Sequence, residues 1–220
     1  MSDAPQAADA AHLSGADRPQ ALVRIAFRQI AERGFEGLRV REVAKEAGVN
    51  HATVLYHYPT KEALIQAVVA HLAHEFRTPV PGLDDPDTSA LGELRREFAD
   101  IRHRARTTPQ TFLVLGELAV RSRRDPAIAR ILQALFAGWQ GHLVAILRRG
   151  IAEGRFRADL DIDATALALR TQLATIGYQV LEGDGGANID PLVRQLASQT
   201  EYWLAASAYA GAPGREGTIR

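Results

Sequence analysis

Apolar side chains recur at helical spacing along most of the chain, and the best-defined short stretch begins at residue 40. Val40, Val43, Ala44 and Ala47 follow the i, i+3, i+4, i+7 spacing of one helix face. Gly48 comes next, and glycine most easily adopts the left-handed backbone that ends a helix. The pattern therefore predicts a short helix that begins near residue 40 and ends at this glycine.

A second short helix is predicted directly after a tight turn at residues 48–50. Asn50 can cap this helix by accepting a backbone N–H. The helix extends from His51 to about His57, because Pro59 pushes Tyr58 out of helical geometry. Two short helices joined by a glycine-containing turn are typical of a helix-turn-helix, whose second helix presents its N-terminal residues to base edges in DNA.

The same periodicity predicts seven further helices, and no alternating strand pattern occurs. The predicted fold class is therefore all-α, with about nine helices. The other predicted ranges are 19–33, 61–76, 90–107, 109–123, 126–153, 162–182 and 191–210. Five of these helices have a recognisable N-cap residue, and in three of them proline follows the cap: Thr60, Thr108, Asp125, Asp161 and Asp190.

Changes in composition divide the chain into five segments. Residues 1–17 are small and polar and predict a disordered tail, and residues 18–77 predict a three-helix DNA-binding domain. A stretch rich in proline, glycine and aspartate predicts a linker at residues 78–89. Residues 90–210 form a second helical domain, and residues 211–220 a flexible tail.

Charge and composition favour a cytoplasmic protein and give only weak support for DNA binding. The chain has 26 basic and 26 acidic residues, no cysteine and no apolar run long enough to span a membrane. Its start does not resemble a signal peptide. Residues 18–77 carry nine Lys and Arg against six Asp and Glu, a net charge of +3. Non-specific affinity for DNA is therefore expected to be modest and sensitive to salt.

Over residues 21–64 the chain resembles the TetR family of bacterial transcriptional regulators. The resemblance rests on ALVRIAFRQIAERGFEGLRVREVAKEAGV and VLYHYPTKEALI. It implies a repressor that binds a palindromic operator in double-stranded DNA as a homodimer and is released by a small-molecule effector. The family usually has Tyr where this chain has Leu55, so contact there is at most apolar. The expected DNA-binding residues are Arg39, Asn50, His51, Ala52, Thr53, Leu55, Tyr56, His57 and Lys61.

The last two predicted helices are apolar on more than one face, which fits either a homodimer interface or a purely internal core. The resemblance to the TetR family favours the homodimer. The residues expected there are Ala164, Leu167, Ala168, Thr171, Ala174, Tyr178, Leu192, Leu196, Gln199 and Trp203. The resemblance also implies an effector pocket in the second domain, although plain core packing is the favoured explanation for each single residue. The candidates are Phe112, Leu115, Gly116, Ala119, Phe136, Trp139, Leu143, Gln172 and Ile176.

Enzyme motifs and metal-site patterns are absent from the sequence. The DLDID stretch at residues 159–163 has the opening spacing of a calcium loop, but Ala164 stands where glycine is needed. The acidic residues Asp84, Asp85 and Asp87 predict a solvated loop, and His71 and His74 lack a third ligand. No cofactor and no enzymatic activity are expected. The alternative is an all-helical enzyme or small-molecule carrier whose N-terminal helices do not bind DNA.

Overall fold

The computed structural model describes residues 17–82, 86–181 and 189–205, which contain nine helices. No strand occurs within these ranges, where the sole β-type pairing is an isolated bridge between Phe156 and Ala205. The predicted all-α fold is confirmed. The helices are α1 (Arg18–Gly37), α2 (Val40–Glu46), α3 (His51–His57), α4 (Lys61–Arg77), α5 (Ala90–Thr107), α6 (Gln110–Ser122), α7 (Pro126–Ala152), α8 (Ile162–Leu181) and α9 (Ile189–Leu204).

Short polar side chains start many of these helices as the sequence predicts. Asn50 accepts the Thr53 N–H at 2.7 Å, and Thr60 accepts the Ala63 N–H at 3.0 Å. The Asp125 and Asp161 carboxylates cap α7 and α8 in the same way. Each cap satisfies N–H groups that have no partner inside the helix, so it fixes where the helix begins.

Two predicted caps are wrong. The Thr108 hydroxyl donates to the Arg104 carbonyl at 3.3 Å, so it belongs to the end of α5, and α6 begins at Gln110. The helix α9 begins at Ile189 instead of Pro191, because the Ile189 side chain is fully buried and anchors the first turn. Asp190 therefore lies inside that turn, where its carboxylate pairs with Arg106.

The first compact unit contains residues 17–78 and 110–135. Helix α1 lies at its centre and packs against α2, α4 and α6. The predicted division placed all of residues 90–210 in the second domain, whereas α6 and the start of α7 cluster with the helix-turn-helix. The fully buried side chains of this unit are large and aliphatic, and they include Leu22, Ile30, Leu38, Leu64, Ile65, Leu72, Leu118 and Ile128.

The described residues of the second compact unit are 79–82, 86–109, 136–181 and 189–205. In its described part, α5 packs against both α8 and α9, which also touch each other. Leu94, Leu143, Ile146 and Leu147 are fully buried in its interior. Some predicted segments lie outside the described residues: both tails, apart from residue 17, and Asp84 and Asp85 of the linker. Within the described ranges, no helix has the length and apolar character that a membrane crossing needs.

Gly150 packs directly against a buried aromatic ring in the second unit. A Cβ atom added there would lie 2.0 Å from Cδ2 of Phe156, a buried ring. The Phe156 N–H also donates to the Gly150 carbonyl at 3.0 Å, so the ring and the backbone are held together. The chain can turn back over the end of α7 only because this position has no side chain.

Replacing Gly150 by Ala should therefore lower the thermal stability of the protein. We expect a loss of about 1–3 kcal/mol, typical of overpacking, measured by thermal unfolding followed by circular dichroism. Gly141→Ala in the same helix is the matched control, since a Cβ there meets nothing within 4 Å. The control should leave stability unchanged or raise it by about 0.5–1 kcal/mol. Equal melting temperatures for the two variants would contradict this account of Gly150.

Candidate DNA-binding surface

Helix α3 presents most of its side chains to solvent and is held to the first unit by one residue. Val54 is fully buried, whereas His51 and Ala52 are exposed. Tyr56 is 83% exposed, and its ring makes an edge contact with His57 at a centroid distance of 5.1 Å. An aromatic ring this exposed contributes little to a core, so it is available for a partner.

The turn before α3 fixes the direction of that helix. Gly48 adopts a φ of 65°, the left-handed conformation predicted from the sequence. The side-chain Oδ1 of Asn50 accepts both the backbone N–H and the hydroxyl of Thr53, at 2.7 and 2.9 Å. These hydrogen bonds hold the N-terminus of α3 in place. Both residues are also among those expected to contact DNA.

Gln29 joins α1 to α2 from a buried position that the sequence analysis missed. Its side chain is 3% exposed, and Nε2 donates to the Glu46 carboxylate at 3.2 Å. Its Oε1 accepts the backbone N–H of Arg39 at 3.3 Å. Both ends of α2 are therefore bonded to one side chain. The signal was present, because position 29 continues the apolar face that contains Leu22 and Ala26.

Two exposed ion pairs reinforce the same contact. Arg28 pairs with Glu46, and Arg33 pairs with Glu42 at 2.8 Å. Surface pairs of this kind contribute at most about 1 kcal/mol each, so buried Gln29 is the more specific link.

Lys61 and Arg39 both bind backbone carbonyl groups at the end of α1. The Lys61 ammonium donates to the Phe35 carbonyl at 3.1 Å, and the Arg39 guanidinium donates to the Glu36 carbonyl. Lysine has three donors and arginine five, so each side chain keeps donors for a phosphate. Nearby, the Tyr58 hydroxyl donates to the Pro19 carbonyl at 3.2 Å, and burial raises the pKa of Tyr58.

The expected effector residues divide between the two compact units. In the first unit Phe112 is buried against the Phe76 ring, Leu115 and Gly116 are half-buried, and Ala119 is exposed. In the second unit Leu143 and Ile176 are fully buried.

Three other expected pocket residues already have partners in the second unit. Trp139 donates to Glu97 at 2.9 Å, Phe136 lies under the Arg170 guanidinium, and Gln172 accepts from the Thr200 hydroxyl. The pocket itself stays a prediction.

Glu97 also holds a second α7 side chain. Nε2 of His142 lies 3.2 Å from its carboxylate and 3.6 Å from that of Glu93. The hydrogen bond to Glu97 raises the pKa of His142 although burial opposes it. The protonated imidazole would therefore tighten the contact between α5 and α7.

The described residues offer no group of three or more side chains suited to a metal ion. His71 instead makes an edge contact with Phe27 at 5.7 Å, and burial lowers its pKa. This environment is ordinary packing between α1 and α4.

One side of α8 and α9 is apolar and is not covered by the described residues of the unit. On α8, Ala164, Leu167, Ala168 and Thr171 are exposed, and Ala174 is half-buried. On α9, Leu192 and Leu196 are half-buried, and Gln199 and Trp203 are exposed. Leu167 is 49% exposed and Tyr202 is 73% exposed. Tyr202 is not among the residues predicted for the interface. The side chain of Tyr178 lies outside what the structure describes.

Two family models match the chain in succession. The model for bacterial regulatory proteins of the tetR family matches residues 22–68, which contain α2, α3 and the residues that hold them. The model for the C-terminal part of BetI-type transcriptional repressors matches residues 92–174. The chain belongs to the TetR family. As a member of that family it is a DNA-binding transcriptional regulator of the repressor class, and the predicted resemblance is confirmed.

Individual relatives agree with the TetR assignment. The transcriptional repressor KstR2 of Rhodococcus jostii is 26% identical over 200 residues, which cover 88% of this chain and 93% of that protein. A transcriptional regulator from Saccharomonospora viridis, solved with choline, superposes with a TM-score of 0.76 at 24% identity, covering 86% and 98% of the two chains. KstR2 of Mycobacterium tuberculosis gives 0.64 at 21% identity, covering 88% and 97%. These structural likenesses support the fold.

Replacing Gln29 by Leu should destabilise the first unit although leucine is apolar and similar in size. The change removes two hydrogen bonds and leaves the Arg39 N–H without its acceptor, at an expected cost of about 1–2 kcal/mol in thermal unfolding. Gln66→Leu, at an exposed position of α4, is the matched control and should change stability little. A Gln29→Leu protein as stable as the control would show that the buried amide does not anchor α2.

Proposed function

We propose that this TetR-family chain is a dimeric repressor that binds a palindromic operator and is released from it by a small-molecule effector. The observation that carries the proposal is the exposed side of α3, whose N-terminus is stiffened by the Asn50–Thr53 contact. His51 and Ala52 would face base edges there, and Tyr56 would approach the phosphate backbone. In a helix-turn-helix, base contacts set specificity and phosphate contacts set position.

The uncovered apolar side of α8 and α9 supports a homodimer. Leucine, tyrosine and tryptophan side chains on one continuous face are costly to leave in water, and a second copy of the same face would bury them. An interface of this kind is self-complementary and has two-fold symmetry. Two reading helices related by that symmetry match the two halves of a palindrome, which doubles the number of bases read.

A buried acceptor on α7 supports an effector with a hydrogen-bond donor. The Gln140 side-chain oxygen is buried and has no hydrogen-bond partner among the described residues, while Nε2 donates to the Asp163 carbonyl at 3.3 Å. An unpaired acceptor in an otherwise apolar domain suits an effector that combines an apolar body with one polar group. The effector would bind more tightly to an arrangement of the dimer that fits the operator poorly, and the protein would therefore dissociate from the DNA.

The direct test is binding of the full-length protein to the DNA flanking its own gene, across a series of salt concentrations. We expect a protected palindrome and an affinity that falls as salt rises. Tyr56→Ala should weaken binding to every sequence by roughly three- to thirtyfold, whereas His51→Ala should change which sequences are preferred. His74→Ala, at an exposed position of α4, should do neither. A salt-independent affinity without a protected palindrome would contradict DNA reading by α3.

Leu167→Glu should convert the dimer to a monomer in sedimentation velocity experiments. A carboxylate at this position would be buried without a partner at the proposed interface, and the monomer should lose most of its operator affinity. Ala145→Glu introduces the same charge at an exposed position of α7 and should leave the protein dimeric. A wild-type protein that sediments as a monomer on its operator would contradict the proposed assembly.

A further inference from the structure

A cleft in the first unit lies between the end of α1 and the end of α6, outside the helix-turn-helix itself. It encloses about 870 Å³, and its walls include Phe35, Glu36, Arg121, Arg123 and Arg124. Arg123 and Arg124 belong to the turn between α6 and α7 and are exposed. These arginines are not among the residues predicted to bind DNA.

Four arginines line this cleft; Arg33 pairs with Glu42, and the other three lack anionic partners within the described chain. Arg121, Arg123 and Arg124 make no ion pair there, in contrast to Arg28 and Arg33 on α1. The buried Nε of Arg121 has no hydrogen-bond acceptor, and its guanidinium stacks on the Phe35 ring at 5.2 Å. Stacking holds Arg121 in place, and it leaves the positive charge of the turn uncompensated.

Acidic groups also line the cleft, and they do not cancel this charge. The Asp125 carboxylate accepts the N–H groups of Ala127 and Ile128, so it serves as the cap of α7. Glu36 and Glu117 are exposed. The segment 121–125 carries three arginines against the single carboxylate of Asp125, so the turn that carries Arg123 and Arg124 stays positive.

The cleft adjoins two residues expected to bind DNA. Lys61 donates to the carbonyl of Phe35, and Arg39 donates to the carbonyl of Glu36, and both acceptor residues form its wall. The cleft and the cationic side chains at the starts of α2 and α4 are thus parts of one surface. Four arginines against two acids add a net charge of +2 from residues 110–135 to the +3 of residues 18–77.

We propose that Arg123 and Arg124, positioned by Arg121 on Phe35, bind backbone phosphates of the DNA that flanks each operator half-site. This inference rests on the proposed function and extends the DNA surface beyond the helix-turn-helix. Arginine is suited to the role because its planar fork matches two phosphate oxygens. A contact from this turn carries no sequence information, so it adds affinity and salt dependence and leaves base preference unchanged.

The test measures the operator affinity of the full-length double variant Arg123→Ala/Arg124→Ala across a salt series, by fluorescence anisotropy. The matched control is Arg130→Ala/Arg148→Ala, which removes two exposed arginines of α7 outside the cleft. We expect the cleft variant to bind roughly tenfold more weakly than the control at low salt. The negative slope of its log affinity against log salt should be shallower than that of the control by about 1–2. The difference should vanish on a duplex trimmed of its flanking base pairs.

Identical affinity and salt slope for the two double variants would overturn the proposal. So would a loss of affinity that persists on the trimmed duplex, because the arginines would then act within the protein. A third result would also overturn it: inorganic phosphate stabilises the wild type more than chloride does at equal ionic strength, and this effect is absent in the cleft variant. In that case the two proteins would bind the operator with equal affinity, and the cleft would hold a free anion instead of DNA. The proposed function fails separately, if the wild-type protein binds no operator at all.

Discussion

The helix-turn-helix depends on a single buried amide between α1 and α2. A seven-residue helix has too few internal hydrogen bonds to be stable alone, so α2 needs support from its neighbours. Gln29 supplies it by bonding the start of α2 through the Arg39 N–H and its end through Glu46. Because α2 is held at both ends, α3 can leave the turn in one direction with Val54 as its only fully buried residue. The exposed side of α3, which we propose reads DNA, follows from that anchoring.

Each compact unit combines a buried interior with one surface that its own described residues do not cover. In the first unit α1 is surrounded by α2, α4 and α6, and the uncovered surface is polar and cationic. In the second unit α5 packs against α8 and α9, whose uncovered side is apolar. The difference in chemistry matches the difference in proposed partner, a polyanion in one case and a second copy of the chain in the other.

Local features were predictable from the sequence because neighbouring residues determine them. The bounds of α3 and α5, the left-handed Gly48 and the caps at Asn50 and Thr60 all depend on interactions within a few residues. Features set by distant residues were missed. Because Ile189 is buried, α9 starts two residues earlier than predicted. Because α6 packs on α1, residues 110–135 belong to the first unit instead of the predicted second domain. Arg123 and Arg124 are about sixty residues from Lys61 along the chain, so no local pattern linked them.

The most direct measurement of the central claim is hydroxyl-radical footprinting of the full-length protein, read by mass spectrometry, with and without its operator duplex. Tyr56 is 83% exposed in the free protein and should react readily. The account predicts that the operator protects Tyr56 and His51, while His74 on the adjacent α4 keeps its reactivity. Unchanged reactivity of Tyr56 and His51 at a DNA concentration that saturates binding would contradict it, because DNA would then contact some other surface.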